Sequence, residues 1–309
     1  MNEPACQDAD KGVGDDDLGL DVLLRYLESK IGLNFKQYKP NYLKRRIGVR
    51  MRATACEDYL QYLQHTKQNP DEVRLLINDL TINVTEFFRD PDVYEAIRNK
   101  IIPEIIQYKK ENRINSLRAW SAGCATGEEP YSLCILMHEA LKKEGGAGQW
   151  VIRITATDLD DKAVQKAKAG RFTEARVLPG ISIEDYFFKG KGECLVRERV
   201  KRPVRFLIMD IMKKPPLRHL DLVVCRNVLI YFEKGKQHKI LEIFNRCLRK
   251  GGFLVLGKSE AILGAGESGF VPYMRKERVY RKEQAFVEDV PRRGRKGKQG
   301  EEVQESKRE

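Results

Sequence analysis

The stretch WSAGCATGEEPYS, residues 120–132, decides how this chain is read. It closes an apolar run, Leu117–Trp120, passes through small residues with Gly123 and Gly127, and then sets Glu128, Glu129 and Pro130 in a row. An apolar run, a Gly-containing turn and a helix start make a strand–turn–helix unit. In doubly wound folds such a turn lies beyond the carboxyl end of a parallel strand, where ligands bind. Pro130 suits the first residue of the helix, where its missing N–H costs nothing. The acids restrict the ligand. A P-loop needs Gly-Lys-Ser/Thr here, so that a lysine meets phosphate oxygens, whereas two carboxylates repel a triphosphate. The dinucleotide fingerprint GxGxxG is absent in strict form, and its pyrophosphate meets the same repulsion. A nucleoside carrying positive charge is attracted instead, and S-adenosylmethionine has a sulfonium, an ammonium and no phosphate. The competing role for Glu128 and Glu129 is simply to favour the helix N-terminus through its macrodipole.

Outward from this turn the pattern alternates. Strands are predicted at LRAW, VIRITATD, VRFLIMD, LDLVVC and FLVLG, and helices at 130–144, 161–170 and 236–250. The β-α-β-α order predicts an α/β fold, a doubly wound and mostly parallel sheet. Asp158 ends the second strand, where an acid takes both ribose hydroxyls, and it follows Gly127 by 31 residues because the intervening helix is long. Asp160 and Asp161 read as helix N-caps. Asp210 ends the third strand, where an acceptor receives an adenine amino group. Cys225, Arg226 and Asn227 end the fourth. Residues 180–204, charged and with two Gly-containing turns, are either a plain loop or a small β-insert. The segment VPYMRKERVYRKE adds an edge strand.

The preceding region is helical in texture. Leu23, Leu24, Leu27 and Ile31 share a face, and Gly32 suits a C-cap. Lys39–Arg52 carries Lys39, Lys44, Arg45, Arg46, Arg50 and Arg52 with no acid. Leu43, Ile47 and Met51 recur at i, i+4 and i+8, so one face is apolar and the rest basic. That pattern fits a solvated face or a docking surface for an acidic partner. The expected organisation is a disordered acidic tail at 1–17, a helical domain and linker at 18–99, an α/β domain at 100–282 with its insert at about 180–204, and a disordered charged tail at 283–309.

Bulk properties agree with a globular chain of 309 residues. The 57 Lys+Arg against 45 Asp+Glu give a net charge of +12, which admits nucleic acid, anionic membrane or an acidic protein. The acidic start lacks the form of a signal peptide, and no run approaches the ~18 apolar residues that span a bilayer. Seven cysteines without CxxC or Cys/His spacing predict reduced thiols in a cytoplasm and no metal site.

With these residues in hand, the chain resembles the chemotaxis receptor methyltransferases of the CheR type over roughly residues 18–282. The pieces that carry the resemblance are NVTEFFRD at 83–90, WSAGCATGEEPYS, ATDLDDKAVQKAKAGRF, CRNVLIYF at 225–232 and, more weakly, GKSE at 257–260. The resemblance implies an all-helical N-terminal domain, then a Rossmann-like S-adenosylmethionine-dependent methyltransferase domain with a small inserted antiparallel β-subdomain. It implies O-methylation of glutamate side chains on cytoplasmic helices of chemoreceptors, yielding S-adenosylhomocysteine. By position, Asn83, Thr85 and Arg89 match the family's linker over the cofactor, and Glu129 and Asp158 match its acids. Asp210 and Ile211 match the third-strand pair, Cys225, Arg226 and Asn227 the fourth-strand turn, and Tyr231 a tyrosine near the transferred methyl. Arg89 and Tyr231 are thereby the catalytic candidates. The family often has asparagine where Asp210 stands. The turn Lys189–Cys194 is short beside members that grip a receptor's C-terminal pentapeptide, which disfavours such tethering.

The chemistry suits these residues. A glutamate carboxylate is ionised near neutral pH, with a reference pKa of about 4.3, so no general base is needed. His65, His138, His219 and His238 fall outside every site motif. The basic stretch Lys39–Arg52 is suited to steer a glutamate-rich helical bundle. A nucleic-acid methyltransferase is disfavoured because CRNVLIYF lacks the Pro-Pro stretch that holds a flipped base. A dehydrogenase is disfavoured by the acids at the turn. A non-catalytic scaffold is disfavoured by the joint presence of Arg89, Tyr231 and the cofactor acids.

Overall fold

The computed structural model describes residues 13–31, 34–80, 85–145, 149–213, 215–262 and 268–283. Gly32, Asn83 and most of both expected tails lie outside these residues. The chain begins with four helices, α1 (Val13–Ile31), α2 (Pro40–Ala53), α3 (Tyr59–Gln68) and α4 (Pro70–Leu80). Helix α1 starts five residues inside the expected acidic tail. Acids are favourable at the positive end of a helix, a signal that low apolar content hid. Leu23, Leu27, Leu43, Ile47, Met51, Tyr62 and Leu76 form the core of this helical unit, with Leu24 and Ile31 packed at its margin. Arg50 departs from the expected basic face. Its Nε and Nη2 donate to Glu72 at 2.8 and 2.9 Å and its Nη1 to Asp79 at 3.2 Å, so its charge is spent inside the helical unit.

Helix α5 (Pro91–Ala96) passes through a π turn at Ile97–Ile101 into α6 (Ile102–Glu111). Pro103 has no N–H to give the preceding turn, and a widened turn accommodates it. The continuous helix crosses the expected boundary at residue 99, and Val93, Tyr94, Ile97, Ile101 and Ile105 pack in the α/β core.

The α/β unit follows as β1 (Ser116–Ala122), α7 (Glu128–Lys143), β2 (Val151–Asp158), α8 (Asp161–Ala169), β3 (Arg171–Phe172), β4 (Phe187–Lys189), β5 (Cys194–Val196), α9 (Glu198–Lys201), β6 (Val204–Ile208), β7 (Leu220–Cys225), α10 (Lys234–Cys247), β8 (Leu248–Leu256), β9 (Phe270–Met274) and β10 (Val279–Lys282). Seven strands form one sheet in the order β6-β2-β1-β7-β8-β10-β9. The first five are parallel, and β10 runs antiparallel to both neighbours. Every residue of β7 is buried, as expected of a central parallel strand covered on both faces. The C-terminal segment supplies two strands rather than the single edge strand expected. The insert is a three-stranded antiparallel sheet, order β3-β5-β4. It begins at Arg171, ahead of the expected 180, because Arg171–Phe172 pairs with Cys194–Leu195.

The sequence pattern predicts a helix to Lys250, but α10 ends at Cys247 and Leu248 turns extended to pair with Leu220. The cause lies far away in the chain. Buried Asp221 accepts from Arg249 Nε at 2.7 Å, sits 2.9 Å from Lys109 Nζ and takes the Arg118 N–H at 3.0 Å. Arg249 reaches this carboxylate from the strand. Asp221→Ala strands two cations in the interior, which costs about 3–5 kcal/mol. Urea unfolding is expected to show that loss as a lowered midpoint with unchanged slope; a loss below about 1 kcal/mol contradicts the pairing.

Candidate functional site

The turn after β1 is shaped by its two glycines. Gly123 has φ +81°, and a Cβ there would lie 2.4 Å from Val228 Cγ2; Gly127 has φ +100°, and its Cβ would lie 2.8 Å from Ala167 Cβ. Side chains would both strain the backbone and block the approach of the neighbouring elements. The turn is then tied to β2. Gly123 and Cys124 donate their N–H groups to Thr157 O at 2.8 and 3.0 Å. The Asp158 carboxylate accepts from Ala125 N at 2.8 Å and Asp160 N at 3.0 Å. Asp160, not Asp161, caps α8, accepting from Ala163 N. Helix α7 starts at Glu128, so Pro130 is its third residue rather than its first.

Above this turn the ends of β1, β2, β6 and β7 open on a cavity of about 1190 Å³, counting its open mouth. Thr85, Arg89, Glu129, Asp158, Asp210, Ile211, Arg226, Asn227 and Tyr231, all read from the sequence, line this one cavity. Asp210 stands two residues past β6 and its Oδ1 accepts from Met212 N at 2.9 Å. Cys225 is the exception, being fully buried inside β7 and absent from the lining. Asn83 lies outside the described residues. None of the four histidines lines the cavity, and His138 Nε2 lies 3.0 Å from Arg199 O.

The two acids of the turn part company. Glu128 takes a hydrogen bond from Thr126 Oγ1 at 2.7 Å and lines a separate cavity beside Lys166 and Phe172. Glu129 faces the main cavity and accepts from Ser121 Oγ at 2.7 Å. Burial pushes the Glu129 carboxyl up to about 7, against the pull of Arg226 and the Ser121 hydroxyl. Burial also raises Asp158, and the two backbone N–H groups oppose that.

Arg226 lines the same cavity. Its guanidinium donates to Arg89 O at 2.8 Å, pairs with Asp90 and lies 5.6 Å from the Tyr94 ring centroid. It therefore holds down the segment that carries Arg89. Asn227, in a left-handed conformation at φ +60°, has a buried Oδ1 with no donor among the described residues. A polar group held this way is costly unless a ligand satisfies it.

Two contributors are missed by the sequence reading. Glu260, of the GKSE piece, accepts from Gly257 N, Asn227 N and Ile230 N at 2.7, 3.0 and 3.3 Å and so shapes the loop between Asn227 and Tyr231. Its only signal was membership of a weak motif. Tyr38, two residues ahead of α2, also lines the cavity; no periodicity marks it. Tyr231 packs against Tyr42 of α2 with ring centroids 4.7 Å apart. Burial raises its hydroxyl, while Arg46 and Arg89 oppose the rise.

Comparison with known proteins fits this geometry. Residues 83–273 match the family described as CheR methyltransferase, SAM binding domain, and residues 19–81 match CheR methyltransferase, all-alpha domain. The chain belongs to the CheR methyltransferase family. A chemotaxis protein methyltransferase of Listeria monocytogenes is 31% identical over 79% of this chain and 90% of its own length. Chemotaxis protein methyltransferase 1 of Pseudomonas aeruginosa is 32% identical over 77% and 88%. An uncharacterized 104.1 kDa protein of Rhodobacter capsulatus is 36% identical over 75% of this chain, which spans only 24% of that relative. The CheR cofactor fits the cavity on its own terms. The carboxyls of Glu129, Asp158 and Asp210 match the positive charges and hydroxyl and amino donors of S-adenosylmethionine, and the orphaned Asn227 Oδ1 awaits a donor.

Glu129 yields a signed expectation. Its folded pKa lies above its unfolded value, so the folded state holds the proton more tightly and stability falls as pH rises from about 4.5 to about 7. Glu129→Gln keeps an acceptor for Ser121 and removes that penalty. The ligand-free variant is expected to match wild type below pH 4.5 and to exceed it at pH 8 by up to about 3 kcal/mol. Equal stabilities at pH 8 in chemical denaturation would contradict a buried, raised carboxyl.

Proposed function

We infer that the protein transfers a methyl group from S-adenosylmethionine to glutamate side chains on the cytoplasmic helices of chemoreceptors. The observation that carries this reading is the placement of Glu129, Asp158, Arg89 and Tyr231 around one cavity. The bound cofactor supplies a methyl group on a positively charged sulfur. Everything else falls to the chain. Glu129 presents negative charge toward the cationic part of the ligand, and Asp158 and Asp210 accept from the nucleoside. Arg89 orients the incoming carboxylate by a charge-assisted hydrogen bond, and it must not grip so firmly that the ground state gains as much as the transition state. Tyr231, raised above its usual range and so protonated, donates to the same carboxylate or confines the methyl. The acceptor carboxylate is ionised at neutral pH, so no proton has to move, which accords with a cavity lined without histidine. The remaining task is alignment and partial desolvation.

Docking falls to α2. Lys39, Arg45 and Arg52 are exposed along it, and Arg46 lies 6.0 Å from the Tyr42 ring centroid, next to the Tyr42–Tyr231 contact. This basic face steers a glutamate-rich helical bundle toward the cavity, faster at low salt. The turn Gly190–Glu193 between β4 and β5 is short, which favours docking on α2 over tethering through the insert. A cytoplasmic setting accords with the six cysteines that are free among the described residues and with described helices too short or too polar to cross a membrane.

Methyl-labelled S-adenosylmethionine and a receptor cytoplasmic fragment test the reaction. Label is expected on the fragment and is released as methanol by mild alkali, as an ester requires. Arg89→Ala is expected to lower kcat/KM roughly tenfold or more. Alkali-stable label, or none, overturns the glutamate reading.

A further inference from the structure

The helical unit is clipped to the α/β unit by a backbone bridge. Lys39 N donates to Tyr231 O at 3.0 Å and Glu233 N to Gln37 O at 3.1 Å, which sets Tyr38 opposite Phe232 in antiparallel register. The bonds flank this pair rather than join it, the arrangement in which facing side chains come closest. The two rings stack with centroids 4.9 Å apart. Tyr38 is thus a fixed ring, and it lines the main cavity.

The wall it belongs to has a one-sided chemistry. Met209 N donates to Asp158 O at 2.8 Å, so the segments after β2 and β6 meet there and supply Asp158, Leu159, Met209, Asp210 and Ile211 to the lining. The two acids accept hydrogen bonds through their carboxyl oxygens, and the other three side chains are apolar. This wall satisfies the hydroxyl and amino donors of a nucleoside but leaves its ring nitrogens and ribose ring oxygen without a side-chain donor. Tyr38 carries that donor. Its hydroxyl is raised above its usual range by burial first and then by the negative charge of Asp210, against the pull of the Gln37 side chain, and so stays protonated.

We propose that Tyr38 is a cofactor-contacting residue supplied by the helical domain, its hydroxyl donating to an acceptor of the nucleoside part of S-adenosylmethionine beside Asp158 and Asp210. The inference rests on the methyltransferase reading above. It has a consequence for the fold. Tyr38 sits between the two bridge bonds, and one of them ends on the carbonyl of Tyr231. A ligand held by Tyr38 therefore firms the joint between the two domains and the segment that carries Tyr231, so occupancy of the cofactor site and order at the methyl-transfer site rise together.

Tyr38→Phe isolates the hydroxyl, because the ring and its stack on Phe232 remain. Thermal-shift titration with S-adenosylhomocysteine gives an apparent Kd from the concentration dependence of Tm. The expected result is an unchanged ligand-free Tm and affinity weakened about fivefold, as for one lost hydrogen bond. Amide hydrogen exchange supplies the second readout. The ligand should slow exchange across 37–39 and 231–233 in wild type, and less in the variant at equal occupancy. Wild-type affinity in Tyr38→Phe, with or without a lowered Tm, overturns the proposal and leaves the methyltransferase reading intact. A wild-type protein that does not bind S-adenosylhomocysteine removes both.

Discussion

The carboxylate of Asp158 is the tie on which the site depends. One oxygen takes the N–H of Ala125 and the other that of Asp160, so a single side chain closes the turn after β1 against the turn after β2. The tie places a buried negative charge where the strands end. Backbone N–H groups stabilise that charge, but burial still works against it, and the balance leaves the carboxyl raised. Glu129, on the same cavity, is raised by the same cause, up to about 7. Two carboxyls held in the mouth of a parallel sheet at a cost in stability are a poor choice for phosphate and a good one for a nucleoside with positive charge. Natural sites accept such local costs where ligand binding returns them.

The second constraint is the way separate segments are pinned to that mouth. Arg226 holds the segment of Arg89 through its main-chain carbonyl and through Asp90. Glu260 gathers two N–H groups of the loop that leads to Tyr231, those of Asn227 and Ile230, together with that of Gly257. The bridge at Tyr38 brings the helical domain onto the same loop. Arg89 and Tyr231 thus stand on segments of the chain that have little regular structure of their own, and each owes its place to a buried polar partner. Precision of this kind is what methyl transfer without a general base requires.

Much of this was legible in the sequence, for physical reasons. Continuous apolar runs such as Leu220–Cys225 announce parallel strands, and the 3.6-residue period of Leu43, Ile47 and Met51 announces α2. Glu129 stood out because acids at a Gly-rich turn repel phosphate, and Asp158 because an acid at that strand end takes the ribose hydroxyls. What the sequence hid were contacts between distant residues. Arg50 looked like part of a uniform basic face until Glu72 and Asp79 drew it inward. Leu248–Lys250 looked helical until Asp221 drew Arg249 into the sheet. Cys225 sits next to two lining residues yet points into the strand's own core. Tyr38 carries no local mark, since its importance comes from Phe232, nearly two hundred residues away.

The central claim is that these carboxylates select a nucleoside ligand without phosphate over one that carries it. Calorimetric titration of the protein with S-adenosylhomocysteine and, in parallel, with ATP, repeated on Asp158→Ala, tests it most directly. The account predicts saturable binding of S-adenosylhomocysteine at one site, none of ATP, and loss of the first in the variant while it stays folded. Binding of ATP in preference, or S-adenosylhomocysteine binding undiminished in Asp158→Ala, would contradict it.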